Sequence, residues 1–162
     1  MPDDFPSIGV VGDLIPRYGV TMDGDAITIE EAVRLVMADD ANIAGIVGTR
    51  VYPNLMPQGG VLPAITYQVI STTRQYTTQF QDSLVNKRFQ INCWATTYAV
   101  CNNLANIVRH LLSGYSGTVE NREIKAIFLD CEGDMPNLSP ELQQLRRYGK
   151  RFDFIVWYRE TI

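Results

Sequence analysis

Apolar and polar positions follow two periods along this chain. Ile29, Val33, Val36 and Met37 recur at helical spacing and predict an amphipathic helix. Its start is marked by Thr28-Ile-Glu-Glu31, the spacing of a capping box, in which hydroxyl and carboxylate satisfy each other's backbone amides. Asp39-Asp40 weakens the end of this helix, because acids there oppose its dipole. A short second turn is expected over Asn42–Val47, stopping at Gly48. The clearest helix is Thr97–Ser113. Cys101, Leu104, Val108 and Leu111 form its apolar stripe, joined by Val100, Ile107 and Leu112, and Asn102, Asn103, Asn106, Arg109 and His110 form its wet face.

Elsewhere the period is two. Thr49–Pro53 reads as a short strand, followed by a Pro/Gly loop from Asn54 to Gly60. Over Pro63–Ser71, Ile65, Tyr67 and Val69 alternate with Thr66 and Gln68, which is a half-buried strand. Arg88–Trp94 repeats the pattern, with Phe89, Ile91 and Cys93 inward and Arg88, Gln90 and Asn92 outward. The polar residues Thr72–Lys87 between them read as an extended hairpin loop. Glu123–Leu129 is a strand with mixed faces, and Asp130–Glu141 an acidic, Pro-containing loop. Arg147–Tyr158 closes the series, with Phe152, Phe154, Val156 and Tyr158 opposite Arg151, Asp153, Ile155 and Trp157.

Helix, strand, paired strands, helix, strand, strand is the order of an α+β fold: one mainly antiparallel sheet with two principal helices packed on one face. Residues 1–27, rich in Pro, Gly and Asp, read as an N-terminal arm, and 28–162 as a single domain. A chain of 162 residues that is 46% hydrophobic and 20% charged can bury one good core. Its net charge of −4 disfavours a free-standing nucleic-acid binder. No apolar run reaches the ~18 residues of a membrane span, and the N-terminus lacks the basic and apolar regions of a signal peptide. Synthesis and assembly in a cytoplasm are therefore expected.

Candidate chemistry is sparse. Cys93, Cys101 and Cys131 form no CxxC pair, and His110 is the lone imidazole, so the ligands of a structural zinc site are missing. The cysteines read as small apolar residues in a reducing compartment. His110 lies on a polar helix face with no partner for acid–base work. No nucleophile elbow, Walker loop, dinucleotide fingerprint or zinc-protease motif occurs, so no catalytic residue, cofactor or metal is expected. Asp130-Cys-Glu-Gly-Asp134 offers hard oxygen ligands but lacks the length and closing glutamate of a calcium loop. Arg146, Arg147, Lys150 and Arg151 form the basic cluster. It can touch phosphate, pair with a neighbour's acids, or keep an edge strand soluble. Ile155 and Trp157, on the outward face of the last strand, imply a second layer or a partner surface that covers them. With Arg74, Tyr76 and Phe80 of the long loop they are the candidate interface residues.

Four segments carry a resemblance. They are Gly48-Thr-Arg-Val-Tyr-Pro53; Pro57-Gln-Gly with Leu62-Pro-Ala-Ile-Thr-Tyr-Gln68; Arg88-Phe-Gln-Ile-Asn-Cys-Trp-Ala95 running into Thr97-Tyr98 and its helix; and Phe152-Asp-Phe-Ile-Val-Trp157. In this order and spacing the chain resembles the tail completion family of long-tailed bacteriophages, from residue 29 onward. The resemblance implies a virion structural protein similar to tail terminators. These form a ring, commonly a hexamer, on top of the tail tube, stop its polymerisation and join the tail to the head. The implied partners are further copies of the chain, the tail tube protein and a head connector or stopper protein. DNA is expected to pass through the lumen without specific binding, and no membrane is involved. The arm at 1–27 and the acidic loop at 130–145 are longer than the family pattern. A DNA-contacting head–tail adaptor is the alternative, but adaptors are more helical. A small enzyme is a further alternative, which a deep polar pocket in a monomer would favour.

Overall fold

A computed structural model describes residues 26–76, 78, 82–135 and 147–161. Residues 1–25, most of the expected arm, lie outside the described residues, as do Phe80 and Arg146. Among the described residues, three helices and six strands follow one another as α1 (Ile29–Ala38), α2 (Ala41–Val47), β1 (Val51–Pro53), β2 (Ala64–Gln75), β3 (Asp82–Ala95), α3 (Tyr98–Leu112), β4 (Gly117–Val119), β5 (Arg122–Met135) and β6 (Tyr148–Thr161). The strands form one curled sheet in the order β1-β2-β3-β6-β5-β4. All neighbours are antiparallel except β1 and β2. The fold is α+β, as the element order implies.

Helix boundaries follow local capping. The Glu31 amide donates to Thr28 Oγ1 at 3.2 Å, one half of the capping box. The other half is absent, because the Glu31 carboxylate takes the Arg34 guanidinium instead. Asp39 and Asp40 do more than end a helix. Asp39 caps the C-terminus of α1, and Asp40 starts α2, its carboxylate accepting from the amides of Asn42 and Ile43 at 3.0 Å. Gly48, at φ 59°, ends α2 where a side chain would be strained. Thr97 Oγ1 caps α3 by accepting from the Val100 amide.

The core lies between the helices and one sheet face. Phe89, Ile91 and Cys93 of β3 and Phe152, Phe154, Val156 and Tyr158 of β6 are buried there with Leu104, Val108 and Leu112 of α3 and Ile29, Val33 and Met37 of α1. Val100 departs from the expected stripe and is exposed, because it sits in the first turn of α3, beyond the sheet cover. Arg122 is buried and holds the chain's entry, its Nε donating to Ile27 O at 2.7 Å and Nη1 to Arg159 O at 3.5 Å.

Parts of two expected loops are strands, while residues 136–141 of the second lie outside the described residues. Most of Thr72–Lys87 is a paired ribbon, with Thr72 opposite Lys87 and Gln75 opposite Leu84; only residues 76–81 connect the strands. Likewise Asp130–Met135 continues β5 against β6. Thr72–Gln75 and most of Asp130–Met135 face solvent, whereas Ser83 and Val85 of the partner strand are buried; backbone pairing itself needs no apolar side chain. Bulges near Ile70 and Asp130 shift the alternation, which breaks the period in sequence. The β4–β5 hairpin was not expected at all. Its turn residues Glu120 and Asn121 both have positive φ, as a two-residue hairpin turn of right-handed twist requires.

Candidate assembly surface

Among the described residues, no helix lies on the sheet's second face. Strand register fixes which residues share it. Arg88, Ile155 and Phe128 lie level on β3, β6 and β5, and Asn86, Trp157 and Ala126 lie level one step further. Leu84 follows on β3, diagonal to Trp157. An apolar area of Leu84, Ala126, Phe128, Ile155 and Trp157 results, in which Phe128 is 54% exposed. Ile155 and Trp157 are partly exposed. Sequence reading singled out these two and missed Phe128 and Leu84, because the bulge in β5 and the ribbon of β3 obscured their parity.

The rest of this face is polar and internally matched. Arg88 Nη2 lies 2.7 Å from Asp130 Oδ2 and Nη1 3.2 Å from Asp153 Oδ2, so one cation bridges β5 and β6. Both carboxylates raise the Arg88 pKa, chiefly Asp130 by hydrogen bonding. Trp94 Nε1 donates to Thr66 Oγ1 at 3.1 Å, and its ring lies over Gly149.

The lateral edges of the sheet are only partly closed. β1 covers β2 at Ile65–Tyr67 alone, and β4 covers β5 at Arg122–Ile124 alone. The Asn54 amide meets Tyr67 O, and Ile127 exchanges hydrogen bonds with Gly114 and Tyr115. Beyond these points no strand among the described residues pairs with the outer edges of β2, over Val69–Gln75, or of β5, over Leu129–Met135.

The remaining candidates scatter. Arg74 Nε lies 2.9 Å from Glu160 Oε2, and Tyr76 is 73% exposed at the end of the ribbon. The basic cluster does not converge. Lys150 and Arg151 point to opposite faces of β6, Lys150 being 3.6 Å from Asp134 and Arg151 4.0 Å from Asp153, while Arg147 is partly buried. The three acids of Asp130–Asp134 each face a cation: Arg88, Arg109 and Lys150. No group of three or more potential metal ligands occurs among the described residues. His110 is exposed in the last turn of α3. Burial pushes the Cys93 and Cys101 thiols up, while Cys131 is exposed on β5. No described helix is long and apolar enough to cross a membrane.

The family profile of tail completion protein gp17 matches residues 31–148, which span α1 to the start of β6. The chain belongs to the tail completion protein gp17 family. It is thus a structural protein of phage-type tails and a virion component. No curated protein sequence matches it significantly. Among solved structures, a chain from a "Virion of native gene transfer agent (GTA) particle" has the same fold. Its TM-score is 0.57 at 17% identity, over 83% of this tail completion chain and 95% of that one. The family is named for tail completion, and the solved chain of the same fold comes from a virion particle.

Proposed function

We propose that this tail completion protein forms a closed ring, of six copies, at the head-proximal end of the tail. There it stops polymerisation of the tail tube protein and presents a docking surface to the head connector or stopper protein. The observation that carries this reading is an apolar sheet face with Phe128 54% exposed, on which no described helix lies, in a member of the tail completion family. Burying Phe128, Ile155, Trp157 and Leu84 against another subunit supplies the hydrophobic drive that a lone copy leaves unused. A ring also needs contacts that repeat head to tail and close by rotation. The net charge of −4 per copy supports passage of DNA without adhesion. The described cations of the basic cluster lie on both faces of β6 and lend no support to a DNA-gripping adaptor.

The test is twofold. Native mass spectrometry of the purified protein should give a closed oligomer, and particles lacking it should show tails of uncontrolled length or heads without tails. A strictly monomeric protein, with tails of normal length in its absence, refutes the reading.

A further inference from the structure

We propose that copies of the chain join by strand addition, the outer edge of β2 in one copy, Ser71–Gln75, pairing with the outer edge of β5 in the next, Leu129–Gly133. The proposal deepens the ring reading and rests on it.

Unpaired strand backbone is recognised by another strand, and native proteins normally blunt such edges with Lys, Pro or a bulge. Along Ser71–Gln75 the β2 edge keeps only a bulge at its start and one charge, Arg74, which is paired with Glu160. Ser71 to Gln75 are all exposed, contain no Lys or Pro, and lie beyond the bulge at Ile70. An edge left this open invites a partner. The β5 edge is its geometric complement. It lies at the other side of the same sheet, so a single kind of contact uses each edge once per copy and runs head to tail. Polarity also fits. β2 and β6 run one way and β3 and β5 the other, so the β2 of one copy meets the β5 of the next antiparallel.

The two edges sit at different heights, and the height difference is informative. Thr73 is level with Asn86 and Trp157, whereas Cys131 is level with Asp153 and Gln90. Pairing Thr73 with Cys131 therefore shifts each copy by four residues along the strands, about 14 Å, while four strand spacings carry it about 19 Å sideways. Their ratio tilts the strands by about 35° to the ring axis, at the edge of the roughly 35–45° found in closed barrels. The same register keeps faces consistent, since Thr73 and Cys131 both belong to the helix-free face.

Cys131 provides the test, because Cys93 and Cys101 are buried. In full-length protein assembled at high concentration, and in tails, Thr73→Cys should oxidise to an intermolecular disulfide with Cys131 of the neighbour. The product on a non-reducing gel is a ladder of linked chains. Adding Cys131→Ser should abolish the ladder, and Thr72→Cys, on the helix-covered side, should give none. Ser71→Cys and Gln75→Cys scan the register. Closed oligomers by native mass in which none of positions 71, 73 and 75 cross-links overturn the strand pairing and leave the ring standing. A protein that is monomeric both in solution and in tails overturns both.

Discussion

Gly149 offers a sharp test of the packing on the helix-free face. It lies in regular β6, so alanine is compatible with its backbone. A Cβ placed there would come 2.9 Å from Trp94 Cζ3, 3.1 Å from Cε3 and 3.3 Å from Met135 Cβ. Carbon contacts are favourable at roughly 3.5–4.0 Å, so the indole must move. Moving it strains the hydrogen bond to Thr66 Oγ1 at 3.1 Å. Overpacking typically costs about 1–3 kcal/mol, and a neutral hydrogen bond contributes about 1 kcal/mol. Gly149→Ala should therefore destabilise by roughly 2–4 kcal/mol. Thr66→Val removes the acceptor alone and should cost about 1 kcal/mol, since the indole is partly exposed. Because both changes act through one ring, the double variant should lose less than the sum. Urea unfolding gives the energies, and emission from Trp94 in a Trp157→Phe background reports the ring's displacement. Wild-type stability for Gly149→Ala, with unchanged emission, would refute the packing argument.

Leu104 is fully buried in α3, and Leu104→Ala should cost roughly 2–5 kcal/mol in urea unfolding; an unchanged midpoint refutes the assigned helix face. Thiol titration of the native protein should find Cys131 reacting quickly and Cys93 and Cys101 only on unfolding, whereas three fast thiols would contradict their burial. Burial raises the Tyr158 pKa, so the native state holds its proton more tightly than the unfolded chain; stability is intact below about pH 10 and falls as pH rises toward the folded value. Tyr158→Phe should flatten that alkaline decline in unfolding midpoints, and an identical slope in the variant would remove Tyr158 as its cause. His110→Ala should fold and assemble normally, and loss of infectivity with intact tails would revive a catalytic role.

What could be read from sequence was decided by local physics. Thr28 and Thr97 announce their helices because a cap hydroxyl acts within three residues. Phe89-Ile91-Cys93 and Phe152-Phe154-Val156-Tyr158 announce their strands because one face must be dry. The ribbon of Thr72–Gln75 with Asp82–Lys87 has neither signal. Its order comes from pairing with a partner strand, and β6 in turn pairs with it from Asp82 to Lys87, which lie 79 to 69 residues from their partners Thr161 to Val156. Asp39-Asp40 was legible as a break, but only the direction of the following helix shows that Asp40 is its cap. On the assembly face, Ile155 and Trp157 were legible from their own alternation. Phe128 became legible only through its cross-strand neighbour Ile155, and the open edges only through strand order.

The position of β6 also bears on when the protein becomes competent. β6 is the latest strand in the chain, yet it lies between β3 and β5 and pairs with each along most of its length. Until Tyr148–Thr161 has left the ribosome, β3 and β5 have no bridge between them and the core residues of α3 have only half a floor. Domains emerging during synthesis fold as their contacts become available, and non-local pairings come late. Ile155 and Trp157 are delivered by that same strand. Leu84, Ala126 and Phe128 are made earlier, so β6 completes the helix-free apolar face at the same moment that it closes the core.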